Sequence, residues 1–262
     1  AIGAFFLIDE VSLPFGLVLA VAVPLLARRL PPDAARGAGA EFLSQWLLVG
    51  SLAARLLAAV GVHALGDSTS ASLFALGALE VWLGVTVPDR LQRFLAAGLA
   101  CAWLFGALVD PDLSWLPAGA ALPVRTGLYL GIALAAGWLW LARARSEAGA
   151  ARAWHAPVAY GLTAFVLVVP GIYSFLTERL LLVEPRAASA GLAVLLLLLW
   201  WSVLRDLDRP PTSPVALVVA ALVVGLGVAA WREPGLLAAF GALALAFHVR
   251  ARRLAGMAIA AV

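Results

Sequence analysis

Residues 42–65 read FLSQWLLVGSLAARLLAAVGVHAL, and residues 70–87 read SASLFALGALEVWLGVTV. Both stretches are apolar all round rather than along one stripe, which is the pattern of a helix surrounded by hydrocarbon or protein. The hydrocarbon layer of a bilayer is about 30 Å thick and takes about 20 apolar residues as a helix. The two stretches are of that order, and only a short polar connection, Gly66–Asp67–Ser68–Thr69, separates them. They predict two antiparallel transmembrane helices. Each carries one ionisable residue deep inside, Arg55 in the first and Glu80 in the second.

The rest of the chain repeats the pattern. Apolar runs occur at 11–27, 42–65, 70–87, 94–109, 126–142, 156–176, 187–204, 214–231 and 235–249, with a further run at 254–262 that reaches the last residue. The expected architecture is an all-α polytopic transmembrane bundle of about nine full spans, with partial helices at both ends. It is read as one transmembrane domain over 1–262, truncated at both ends. Ala1–Ile8 is apolar but too short to cross, and Asp9 and Glu10 are expected to break it. No basic segment precedes that run, as a signal peptide would require.

Composition agrees with this architecture. Of the 262 residues, 64% are hydrophobic and 13% charged, and the mean hydropathy is +1.00. Soluble domains hold about 25% charged residues, so a water-soluble monomer is excluded. All 18 basic residues are arginine, which excludes a retinal Schiff base or a lysine nucleophile. The net charge of +3 has no basic block behind it and does not point to nucleic acid. The single cysteine, Cys101, permits neither an intrachain disulfide nor a cysteine metal cluster and reads as a packing residue.

The arginines also orient the chain. Counted over alternate connections, thirteen of the 18 fall on one side, from Arg28 and Arg29 to Arg250, Arg252 and Arg253. Four, namely Arg125, Arg179, Arg186 and Arg232, fall on the other. An asymmetry of that size over short loops is a positive-inside signal. The arginine-rich loops are therefore expected on the cytoplasmic side. The longest outer connection, 110–125, carries Trp115 and Leu116 and reads as an interfacial segment.

Arg55 and Glu80 are the candidate intramembrane ion pair. Each lies ten residues from the shared outer connection, or about 15 Å along its helix. A lone charge at that depth is expensive, about 2.5–3.5 kcal/mol on insertion scales, so equal depth on adjacent helices predicts pairing. The pair reads either as a register lock or as a gate or anionic-ligand site. Pro170, next to Gly171, is a candidate helix kink, because proline removes one helical hydrogen bond. It is read as packing geometry, with a transporter's broken helix as the alternative.

Other residues carry less. His63, His155 and His248 do not form an expected haem pair: His63 lies at the opposite end from the other two, and His155 adjoins the interfacial Trp154. Trp46, Trp115, Trp138, Trp140, Trp154, Trp200, Trp201 and Trp231 fall near run ends and read as an aromatic belt, with Trp82 and Trp103 deeper and packed. Gly127 and Gly131, with Gly137 beyond, make a GxxxG face for close helix contact, within the chain or between subunits. No HExxH, GxSxG or phosphate-cradling glycine loop occurs.

Four stretches together resemble a known family. They are Glu41–Gln45 (EFLSQ), Val87–Leu95 (VPDRLQRFL), Pro157–Leu162 (PVAYGL) and Glu233–Gly241 (EPGLLAAFG). The chain from about Gly16 to Val262 resembles an uncharacterised family of bacterial multi-pass inner-membrane proteins, a domain of unknown function. Its members often neighbour another uncharacterised membrane protein with a Gly-Asp-Tyr motif, and they usually continue into a tyrosine-rich hairpin. The resemblance implies no activity, cofactor or catalytic residue.

The resulting expectation is a non-catalytic integral membrane protein, a scaffold or subunit of a larger membrane complex, with no cofactor and no metal. Its partners are the lipid bilayer and other membrane protein subunits, not nucleic acid. The alternative is a transporter or flippase-like protein for a lipid or small anion. A quinone- or haem-binding redox subunit is a distant third.

Overall fold

The computed structural model describes residues 2–29, 38–64, 70–87, 89–108, 119–145, 150–175, 183–210 and 212–261. Trp115, Leu116 and Pro88 lie outside them, as do the side chains of Asp9, Glu10 and His63. Among the described residues there are ten helices: α1 (Ile2–Arg29), α2 (Ala38–Ala64), α3 (Ser70–Thr86), α4 (Arg90–Ala107), α5 (Ala121–Arg145), α6 (Ala150–Phe175), α7 (Pro185–Asp206), α8 (Pro214–Ala229), α9 (Pro234–His248) and α10 (Arg252–Ala260). Where the sequence shows no internal boundary, the helices cluster into two compact units, Ala1–Ser114 and Trp115–Val262.

Among the described residues, three helices carry segments long and apolar enough to cross a membrane, at Gln45–Val62, Ala121–Arg145 and Pro185–Asp206. Five more are apolar but shorter, Ser70–Thr86, Pro214–Ala229 and Pro234–His248 among them. The expectation of nine full spans is corrected here. α8 has 16 residues and α9 has 15, which at 1.5 Å per residue gives about 24 and 22 Å against about 30 Å of hydrocarbon. Apolar runs overstate these helices because the turn residues themselves are apolar, as at Ala230–Trp231. Prolines then set the starts: Pro185, Pro214 and Pro234 each occupy a first helical turn, where the missing N–H has no partner to lose.

Two further expectations are corrected. Asp9 and Glu10 do not break the first run, because α1 continues through them and through Pro14 and Pro24 for 28 residues. Arg125, Arg143 and Arg145, read as loop residues, belong to α5. Arginine is a good helix former whose long stem lets its head reach outward, so a charge need not end a helix.

In the first unit α1 lies along α2, and α3 along α4. Small residues set both contacts. A Cβ on Gly16 would stand 2.8 Å from the Ala58 backbone nitrogen, and one on Gly61 would stand 2.5 Å from Leu13 Cβ. Gly50, Ala54 and Ala58 recur every four residues on α2, so one face of that helix is nearly bare backbone. α3 presents Gly84 to Ala96 of α4 in the same way. α2 and α3 run antiparallel, with Ala54 against Leu83 and with Ala58 and Val62 against Leu76.

In the second unit α9 packs on α5, α6, α7 and α10. Tyr129 on α5 is buried and its hydroxyl donates to the Val166 carbonyl on α6 at 3.1 Å. Trp140, expected in an interfacial belt, is instead wholly buried: its indole N–H donates to Thr163 Oγ1 at 3.1 Å, and its ring meets Tyr160 edge-on. Trp82, expected to be packed, is half-exposed. Nothing lies within 4 Å of a Cβ built on Gly127, Gly131 or Gly137, so the GxxxG face makes no close contact among the described residues.

Candidate functional site

The first unit holds a buried polar cluster built from three helices. Ser51 and Arg55 come from α2, one helical turn apart, Glu80 from α3, and Gln92 from the first turn of α4. Their exposures are 0%, 7%, 2% and 0%. Arg55 Nε donates to both carboxylate oxygens of Glu80, at 2.8 and 2.7 Å. Arg55 Nη1 donates to Gln92 Oε1 at 3.0 Å. Ser51 Oγ lies 2.7 Å from the same oxygen and 2.8 Å from the Leu48 carbonyl.

These contacts fix the roles of the groups. An oxygen that takes a guanidinium N–H must be the amide oxygen of Gln92, so its nitrogen points the other way. Ser51 has one proton, which bridges to Gln92 or to its own helix but not to both in full. The carboxylate is held through Nε alone rather than by the two-pronged fork usual for arginine. Arg55 Nη2 and Gln92 Nε2 are therefore left buried with no acceptor among the described residues. The cluster has more donors than acceptors.

Local sequence explains the geometry. Asp89 caps α4, its Oδ1 accepting from the Gln92 backbone N–H at 2.9 Å, which satisfies one of the first-turn donors. Glu80 lies six residues before the end of α3, about 9 Å from that end. The pair is thus nearer the α3–α4 turn than the α2–α3 connection. Equal depth of Arg55 and Glu80 was legible in the sequence. Gln92 was not singled out, because a neutral amide next to a turn carries no charge signal.

Pro170, the other candidate, sits inside α6, which runs through both Pro157 and Pro170 as one helix. It is buried, and its Cβ lies 3.1 Å from where a Cβ on Gly235 would stand. It therefore packs against the start of α9.

A second charged cluster joins the C-terminal ends of three helices in the second unit. Arg145 of α5 donates through Nε and Nη2 to Asp206 of α7, with an Nη2–Oδ1 distance of 3.0 Å, and its Nη2 also donates to Ser202 Oγ at 2.7 Å. His248 Nε2 of α9 lies 3.7 Å from the other Asp206 oxygen. Sequence reading missed this cluster, since residues in three separate turns give no sign that they meet. His155 lies beside Trp138, with ring centroids 6.5 Å apart. No group of three or more His, Cys, Asp or Glu side chains placed to hold a metal occurs among the described residues.

A family model described as a domain of unknown function (DUF4401) matches residues 5–262. No curated protein and no solved structure matches the chain.

Proposed function

We infer the function from the premise that the chain belongs to the family described as a domain of unknown function (DUF4401), so the assignment rests on the chain's own chemistry. It is a non-catalytic integral protein of the bacterial inner membrane, a scaffold or subunit of a larger membrane complex. It crosses the membrane several times, with local thinning of the bilayer and snorkelling of flanking residues accommodating its shorter helices, and with the arginine-rich connections in the cytoplasm. The observation that carries this proposal is the Arg55–Glu80 pair, which ties α2 to α3 and is almost without solvent exposure. A buried pair of that kind holds helices in register. The wide apolar faces, such as Val215, Leu222 and Val228 on α8, supply surface for lipid and for other subunits.

Purification in mild detergent tests it. The expected result is a discrete assembly containing a second membrane protein in fixed ratio. A chain that runs alone, and moves a small anion or lipid across vesicles once reconstituted, would replace the scaffold with the transporter. The unmatched donors on Arg55 and Gln92 are the feature that favours that second reading. Sidedness has its own test. Cys101 is buried, so a cysteine placed at exposed Pro210 is expected to react with an impermeant maleimide only after cells are permeabilised. Labelling in intact cells would reverse the topology.

A further inference from the structure

The second unit contains a groove between α5, α6, α7 and α9, apolar apart from Thr163 and Ser202. It is half-open, with a volume of about 220 Å³, and Gly137, Leu141, Leu195, Leu199 and Leu245 line it. A closed apolar cavity of about 150 Å³ already takes a benzene molecule, so this groove has the width for a hydrocarbon chain. At its mouth stands Ser202, which lines the groove and accepts a hydrogen bond from Arg145 Nη2. Accepting that bond leaves the Ser202 hydroxyl proton, and Arg145 Nη1, free to donate elsewhere.

This end of the unit is strongly positive. Arg143, Arg145, Arg205, Arg250, Arg252 and Arg253 lie in the last turns of α5 and α7, the α9–α10 connection and the first turn of α10, against Asp206 and Asp208. Arg143 Nη1 and Trp200 Nε1 are buried with no acceptor among the described residues. Apolar walls that end in a surplus of donors and positive charge match one kind of molecule, an amphiphile with an acyl chain and an anionic phosphate.

We propose that this groove is a binding site for an anionic glycerophospholipid of the host bilayer, with one acyl chain between α5, α7 and α9 and its phosphate at Arg145 and Ser202. The site rests on the membrane assignment above and adds a ligand to it. The lipid holds the ends of the three helices together alongside Asp206, which bridges them within the protein.

Native mass spectrometry of the intact protein, delipidated and then offered equal mole fractions of phosphatidylglycerol and phosphatidylcholine, tests it. Wild type is expected to retain phosphatidylglycerol about fivefold over phosphatidylcholine, the effect of one basic residue near an anionic headgroup. Arg145→Gln should bring that ratio close to one while total lipid is kept, and Ser202→Ala should lower it in the same direction. Gly137→Leu should expel both lipids. A Cβ at that position meets nothing within 4 Å and Gly137 lines the groove, so the larger side chain is expected to enter it and leave the melting temperature unchanged. Equal retention of both lipids by wild type overturns the proposal. So does lipid retention at the wild-type level in Gly137→Leu, displacement of the phospholipid by ubiquinone at equal mole fraction, or a dimer that carries no lipid. Recovery of the chain in the soluble fraction would instead overturn the membrane assignment, and the site with it.

Discussion

Arg55→Leu is expected to lower the detergent melting temperature further than Arg55→Leu combined with Glu80→Leu does. The single change strands a carboxylate that is 2% exposed and has Arg55 Nε as its donor. Truncating one side of a buried pair typically costs about 3–5 kcal/mol, while replacing both sides with apolar groups can be neutral. Glu80→Leu strands the guanidinium, which keeps one bond to Gln92; its loss should be large but somewhat smaller. The charge swap, Arg55→Glu with Glu80→Arg, should recover only part of the stability, because Gln92 Oε1 is placed to accept from an arginine on α2, not from one on α3. A loss in the double variant equal to the sum of the two single losses would show that the two charges contribute independently rather than as a pair. A double-mutant cycle on thermal melts in one detergent separates these outcomes.

Gly61→Leu should be as damaging by a different route. The new Cβ would stand 2.5 Å from Leu13 Cβ and 2.6 Å from the Leu13 backbone nitrogen. No rotamer relieves a contact with backbone, so α1 and α2 must separate. Overpacking costs about 1–3 kcal/mol where side chains can yield, and here the loss should reach or exceed the top of that range. Gly16→Leu, whose Cβ would meet the Ala58 nitrogen at 2.8 Å and the Ala54 carbonyl at 3.0 Å, should behave alike. Gly127→Ala on α5 is the control: nothing stands within 4 Å of its Cβ, and removing a helical glycine should stabilise by about 0.5–1 kcal/mol. Thermal melts and protease resistance report all three. Wild-type stability in Gly61→Leu would refute the close approach of α1 to α2.

What the sequence disclosed and what it hid divide along physical lines. Apolar runs located the helices because segments apolar all round have no polar face to interrupt the run. Arg55 and Glu80 were legible because buried charge is too costly to be incidental, and because a short connection makes depth countable. Helix ends were less legible: α1 runs through Asp9 and Glu10, and α5 takes in Arg125 and Arg145, since a charge at the edge of a run does not stop a helix. The buried Trp140 and the half-exposed Trp82 were exchanged in expectation. Position along a run gives depth, but it does not give the side of the helix that faces protein. The Arg145–Asp206–His248 cluster was invisible for a related reason. Its members lie on helices whose order in space no local pattern encodes.

The Asp89 cap has a consequence for how the α3–α4 connection can vary. By gripping the Gln92 backbone N–H, Asp89 sets the angular phase at which α4 begins, and the Gln92 amide reaches Arg55 only at that phase. One residue corresponds to about 100° of rotation around a helix axis. A single deletion or insertion between Asp89 and Gln92, in the first turn of α4, would change that helix by one residue and leave its apolar character. It would nevertheless swing the amide away from the guanidinium, as a key turned a quarter past its notch no longer engages. The first turn of α4 is thus a timing element, in which the spacing from Asp89 to Gln92 matters as much as the identity of the two.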